Sequence, residues 1–423
     1  MFSRPLILWL GSILALLTAA AEAQVNPLPY RPVASIYSSS LDEIVMISLN
    51  PNQLHIYNPV TKSDTAVNLP QSPISLAISP DGNSAMAGMN GQISYINLVS
   101  ATIINTSSVG ITVNNVILGA TYAWLFGSAS NYAGPVAIIA ATGAVLSPSD
   151  LALSPITRGV LNQTGTVIYA VEEGSSPDNM QKIDVSNGTF GANTSWPYNG
   201  DYPDCGPLWL SPDGTRIYTG CATIVHASSD PAVDMYYLRT LPVTTGAILG
   251  LTESAAAARL AVIAGNTTAT TADTQIELFT TDYFNPAGTL QLSPFVTNAG
   301  SFAAHGKGVF YNSASTNLYV VEEADSTSNL LNDFAVETIS LANPPACQAS
   351  FLTTTGSVAW TGSLGSTGIA AAAPCQYTAV SNASWIQIVS GGYGSGNGTL
   401  NWIARPNLGS SARTGTISLG SQT

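Results

Sequence analysis

The chain has 423 residues, only 8% of them charged, and 24 acidic against 11 basic side chains leave a net charge of −13. No Lys/Arg cluster offsets that charge, so it repels phosphate backbones and anionic lipid and argues against nucleic-acid binding. Gly, Ser, Thr, Asn and Ala dominate the remainder, a β-rich, turn-rich composition with few residues for the charged faces of surface helices.

Residues 1–23 read as a cleaved secretory signal. Arg4 supplies a positive start, Leu6 to Leu17 a short apolar run, and Ala21-Glu22-Ala23 a small-x-small cleavage site before Gln24. The run is too short to span a bilayer, and no later segment offers about 20 consecutive apolar residues. The mature chain is therefore expected not to insert into a membrane, and to be secreted, periplasmic or at the cell surface.

From Gln24 to Asn343 the chain reads as a repeat array. Residues 74–88 (ISLAISPDGNSAMAG) and 206–220 (GPLWLSPDGTRIYTG) are the same design 132 positions apart. In each, alternating apolar residues are broken by a Ser-Pro-Asp-Gly corner, the pattern of two antiparallel strands. A second echo, 150 positions apart, sets Tyr169-Ala170-Val171-Glu172-Glu173 against Tyr319-Val320-Val321-Glu322-Glu323. Both offsets are close to three units of 44–50 residues, the period of a β-propeller with four short strands per blade. Seven such units fit, beginning near Tyr30, Gln71, Gly110, Ala152, Tyr198, Val243 and Ser293, and a strand over residues 33–37 is expected to close the ring against the last blade.

Four cysteines in an exported chain read as disulfides before metal ligands, and three pairings exist on paper. Cys205 and Cys221 flank the 206–220 hairpin, so folding it sets their backbones side by side. Cys347 and Cys375 both fall in the C-terminal region and are expected to pair there. Neither pair has a short C-x-x-C spacing, and the chain has only three His, so neither a metal site nor a cofactor is expected.

No catalytic residue can be named from these patterns. His55, His226 and His305 lie far apart and outside any Ser- or Cys-bearing motif. Glu172-Glu173 with Asp178, and Glu322-Glu323 with Asp325, are the densest acidic spots. Adjacent residues of a strand point to opposite faces, so these read as solvated loops after a strand rather than calcium sites or acid/base pairs. Trp124, Trp196 and Trp209 read as blade packing.

Asn343-Pro344-Pro345 marks a linker, because consecutive prolines cannot continue a strand ladder. Residues 344–423 form a different unit. Trp385 and Trp402 read as core, the latter sharing a strand face with Leu400 and Ala404. Tyr393, set in SGGYGSGNG, and Trp360, ahead of a Gly/Ser loop, are the surface candidates for stacking on the flat C–H face of a sugar ring.

The Ser-Pro-Asp-Gly corner followed by a short apolar strand resembles the bacterial YVTN-type seven-bladed β-propellers, over about three quarters of the chain. The order Cys375-Gln376-Tyr377, Asn382-Ala383-Ser384-Trp385-Ile386, Gly394 to Thr399, Asn407 and Arg413-Thr414-Gly415-Thr416-Ile417 resembles a BACON domain, a small immunoglobulin-like β-sandwich of secreted bacterial proteins. Two features depart from that pattern: Gln376-Tyr377 stands where Trp is usual, and the last strand of the family is missing after Thr423, which reads as truncation. The expected fold is all-β, a seven-bladed propeller plus a C-terminal sandwich. The propeller resemblance implies a scaffold on which surface-binding and enzymatic members both occur. Its pairing with an appended immunoglobulin-like module, the lack of a catalytic constellation and the low charge favour a secreted, non-catalytic binding or adhesion protein targeted to polysaccharide or another surface polymer. The alternatives are a structural component of the cell envelope, and a propeller enzyme such as a lactonase or a glycan-active hydrolase or lyase.

Overall fold

A computed structural model describes residues 24–419 except 129–133, 149–150, 152, 155, 174–178, 199, 245–246, 266–273, 299, 342–348, 372–375 and 396. The signal-like leader, Asp178, Cys347, Cys375 and the Asn343-Pro344-Pro345 linker lie outside the described residues. The chain divides into two compact units, Met1–Leu341 and Ala342–Thr423.

The first unit is a β-propeller built from antiparallel sheets whose strands follow chain order. One four-stranded sheet runs Pro32–Ser38, Glu43–Leu49, Asn52–Tyr57 and Asp64–Asn68. A six-stranded sheet follows, from Pro73–Ile78 through Ser84–Asn97 and Thr102–Leu118 to Val145–Pro148. Further four-stranded sheets begin at Arg158–Leu161, Leu208–Leu210, Ala247–Ser254 and Ala304–Tyr311. Among the described residues the only helical turn is Ser326–Ser328.

The inner strands of these sheets are buried on both faces, because successive residues of a strand point opposite ways and both sets are apolar, while outer strands such as Asp64–Asn68 and Asn193–Ser195 are mostly exposed. In Glu43–Leu49, Val45 and Ile47 pack with Ala85, Ala87 and Met89 of the following sheet. Their neighbours Ile44 and Met46 pack with Tyr319, Val321 and Val336 of the last. The same arrangement continues around the unit: Trp124 and Phe126 meet Ile168 and Ala170, Tyr169 and Val171 meet Ile217 and Val225, and Tyr218 meets Leu260 and Val262. Burying each of the larger aliphatic side chains among these stabilises by roughly 1.5–3 kcal/mol.

The Ser-Pro-Asp-Gly corners act through their hydrogen bonds. The Ser211 hydroxyl donates to Asp213 at 2.5 Å and accepts from Arg216 N–H at 3.0 Å, while Asp213 accepts from Thr215 N–H at 3.1 Å. Gly214 supplies the positive φ of 70° that the corner requires. Ser79, Asp81 and Gly82 repeat the arrangement. The disulfide across the second hairpin is formed, with Cys205 and Cys221 5.2 Å apart at Cα.

The ring closes with a different strand from the one expected. Residues 33–37 lie within Pro32–Ser38, which pairs with Glu43–Leu49 as the first strand of its own sheet. Closure is made instead by Gln24–Leu28, which pairs antiparallel with Phe334–Ser340 and buries Leu28 beside Phe334 and Val336. The N-terminal strand thereby covers an edge that would otherwise expose unpaired N–H and C=O groups.

The second unit is a sandwich of two small antiparallel sheets. One contains Ser350–Phe351, Ser363–Ala370, Gly398–Ala404 and Ile386–Ser390, the other Tyr393–Ser395, Gln376–Ser381 and Ile417–Leu419. Phe351, Ile369, Tyr377, Ala379, Leu400 and Leu419 form its core. Tyr377 at the departure position is buried in that core.

Candidate functional site

One side of the sandwich opens into a groove of about 800 Å³ whose walls carry Trp360, Trp385 and Trp402. Trp402 stands opposite Gly365 in the strand register, and a Cβ at Gly365 would lie 2.2 Å from its ring. The indole therefore lies flat over the neighbouring strand. Leu400 and Ala404, on the same face of its strand, are buried and form the floor of the groove.

 Trp402 itself is only half-buried, which corrects the expectation of a core residue: the groove leaves one side of the indole uncovered.

Trp385 is likewise half-buried at the groove rather than sealed in the core. The Arg413 guanidinium sits 4.2 Å from its ring centroid, and Gly415 makes room for the indole edge, since a Cβ there would lie 2.8 Å from it. Arg413 also donates to the carbonyls of Arg405 and of Pro406, the latter at 3.0 Å. The Arg-x-Gly motif is thus a clamp on Trp385. Trp360 lies in the irregular stretch before Ser363–Ala370 and is 71% exposed. Its carbonyl accepts from Asn407 N–H at 2.8 Å, which fastens the stretch to the groove wall. Of the two surface candidates, then, Trp360 lines the groove. Tyr393 has its backbone in the strand Tyr393–Ser395, and its side chain lies outside the described residues.

Glu172, Glu322 and Glu323 are strand residues rather than parts of the solvated loops expected, while Glu173 stands in the turn just after its strand. Glu172 accepts from Gln181 at 2.8 Å and from Ser154 N–H at 3.2 Å, while Glu173 meets Arg158 at 3.5 Å. In the last sheet Glu322 is fully buried, and Glu323 is held by Lys307 at 2.6 Å and Arg31 at 2.8 Å. Burial works against the Glu323 charge, but these two cations hold its carboxyl below the ordinary value. Among the described residues no group of three or more His, Cys, Asp and Glu could hold a metal ion.

The three histidines belong to three different sheets, in Asn52–Tyr57, Thr223–His226 and Ala304–Tyr311. His55 lies 3.0 Å from the Ser48 hydroxyl and 2.9 Å from Asp64, the order of groups in a nucleophilic triad. Ser48 is fully buried and donates to the Pro51 carbonyl at 2.6 Å, and Tyr30 stacks on the imidazole at 3.5 Å. A hydroxyl so enclosed has no room for a substrate carbonyl, so the arrangement serves to satisfy buried polar groups.

Trp124 and Trp196 are buried blade residues and Trp209 is half-buried. The sequence reading passed over a tyrosine cluster beside Trp196. Tyr202 stacks on Tyr237 at 3.8 Å, and Tyr198 touches Trp196, Tyr202 and Tyr236. The sequence reading likewise does not single out Arg405 in the groove, and Asn407 enters it only as a motif position. The available signal for the arginine was its rarity, because Arg405 and Arg413 are the only charged residues after position 341.

No family model matches the chain, and no curated protein aligns with it. Among solved structures it is similar to the β-propeller domain of Cps50 (Swd1) from Myceliophteria thermophila, at 9% identity and a TM-score of 0.53, over 75% of this chain and 99% of that one. It is also similar to hydrazine synthase from Kuenenia stuttgartiensis, at 12% identity and a TM-score of 0.53, over 74% of this chain and 96% of that one. At such identities the likeness shows the propeller fold and no activity.

Proposed function

We propose that this is a secreted, non-catalytic binding protein in which a propeller of the YVTN type carries a BACON-like sandwich whose groove takes a glycan. The observation that carries the reading is Trp360, a 71%-exposed indole at a groove that also holds Trp385 and Trp402. A large apolar ring left in water is costly to maintain unless something stacks on it, and a sugar ring offers a flat C–H face for that purpose. Asn407, Thr353 and Ser411 along the same groove supply hydrogen-bonding groups for sugar hydroxyls.

The disulfide at Cys205–Cys221 suits an oxidising compartment, in keeping with the signal-like leader. We infer seven blades, the six-stranded sheet counting as two that join at Gly110, where φ is 74°. Val109 and Val113 on either side of that glycine lie in one apolar cluster, as the residues of neighbouring sheets do elsewhere in the unit.

The test is a polysaccharide pull-down and glycan-array screen on the full chain and on Trp360→Ala. Retention by the wild-type chain, lost in the variant with an unchanged melting temperature, is the expected result. Absence of retention on every glycan would overturn the reading.

A further inference from the structure

Every Asp and Glu of this protein lies before residue 342, so the C-terminal unit contains no acidic side chain. Its two charged residues are Arg405 and Arg413. Both line the groove with the three tryptophans. In a chain with 24 acidic residues, this places the positive charge of one unit at one site with no carboxylate side chain of that unit to neutralise it.

From this we propose that the groove selects an anionic glycan, one bearing carboxylate or sulfate groups; the inference rests on the glycan-binding reading above and narrows its ligand class. Arg413 is oriented by neutral partners. Its guanidinium lies over Trp385, and its donors meet two backbone carbonyls, which fix the plane without cancelling the charge. Arg405 is exposed at the same groove. A guanidinium presents paired N–H donors that match the two oxygens of a carboxylate or sulfate, while an indole matches the apolar face of the ring bearing it. A neutral glycan offers no charge for either guanidinium to pair with, and leaves Arg413 only as the clamp on Trp385 and Arg405 with no charged partner. The unit itself carries no other charged side chain, so within it the two cations set the local potential over a Debye length of about 8 Å at physiological salt.

The experiment is affinity electrophoresis of the full chain in gels containing polygalacturonate (carboxylated), chondroitin sulfate (sulfated and carboxylated), neutral dextran or polyglutamate. The wild-type chain should be retarded by at least one of the two anionic polysaccharides and by neither dextran nor polyglutamate. Arg405→Gln should weaken that binding about tenfold, the loss of one hydrogen bond to a charged group, and Arg405→Lys should restore part of it. Arg405 lies at the surface, so its variants should fold even if Arg413→Gln, which releases Trp385, does not. Binding to dextran that Arg405→Gln leaves unchanged would overturn the anionic selectivity and leave the glycan reading standing. Equal retardation by polyglutamate would also overturn it, by showing charge recognition without a sugar. No retardation in any gel, together with no retention in the glycan screen, would remove both.

Discussion

Arg413 and Gly415 act on one indole from two sides. The guanidinium covers a face of Trp385, and the missing Cβ at Gly415 admits its edge. Gly415→Val should therefore push Trp385 toward the groove, costing about 1–3 kcal/mol, read as a lower denaturation midpoint of the C-terminal unit. Arg413→Ala removes the cation–π contact together with the hydrogen bonds to the Arg405 and Pro406 carbonyls, and a loss of about 1–2 kcal/mol is expected in the same measurement. In the propeller, Asp213→Ala deprives the Ser211 and Thr215 hydroxyls of their acceptor and leaves Thr215 N–H with the Ser211 oxygen alone. The corner is exposed enough for water to replace part of that loss, so about 1 kcal/mol is expected by chemical denaturation. Burial works against the Asp213 charge, yet the hydrogen bonds from Ser211 and Thr215 and the nearby Arg216 hold its carboxyl below the ordinary value, and Ser79 does the same for Asp81. A depressed carboxyl contributes stability that is present above the unfolded value of 3.8 and lost as pH falls through the folded one.

Within the last sheet, the middle strands Asn317–Ala324 and Phe334–Ser340 bury Glu322 and Glu337 on one face. Ser293 N–H donates to both oxygens of Glu337 at 3.3 Å, but neither oxygen of Glu322 has a hydrogen-bond donor from elsewhere. Burial first, and the Glu337 carboxyl group second, push the Glu322 carboxyl up to about 10. A carboxyl raised in the fold contributes stability that is fully present below its unfolded value of 4.5 and lost as pH rises through about 10. The midpoint of urea unfolding should accordingly fall from weak acid toward alkaline pH. Gln181 occupies the matching register position in the 169–173 echo, opposite Ala170 as Glu337 is opposite Val320, and there its amide donates to Glu172. Glu337→Gln should reproduce that pairing, flatten the alkaline decline and stabilise by about 1–2 kcal/mol at pH 8. A variant that left the pH profile unchanged would show that the pair does not set it.

For the molecule as a whole, the ends of the first unit meet in one sheet. Leu28 and its strand tie the N-terminal residues to Phe334–Ser340, so the unit cannot be opened at one sheet without exposing two others. Leu28→Ala should cost about 2–5 kcal/mol, and it should lower the unfolding midpoint of the whole propeller rather than loosen one edge, which hydrogen exchange across the sheets would show. Reduction of Cys205–Cys221 releases a constraint on a loop of 16 residues, for which the chain-entropy estimate is about 3 kcal/mol.

Sequence alone determined the all-β architecture, the repeat, the first disulfide and the presence of a distinct C-terminal unit, because alternation, Ser-Pro-Asp-Gly corners and Cys spacing are local signals. It left some corners unrecognised because other residues perform the same turn. Asn162 with Gly165, and Asn312 with Ser315, cap their hairpins with a side-chain oxygen and a positive φ just as Ser211 and Gly214 do. Tertiary structure alone decided that Gln24–Leu28 closes the ring, that Glu322 loses its water, and that three tryptophans read as packing or surface share one groove with both arginines of the unit. Each of these depends on residues far apart in the chain reaching a common place, and period-two patterning records which face a side chain takes but not what it meets there.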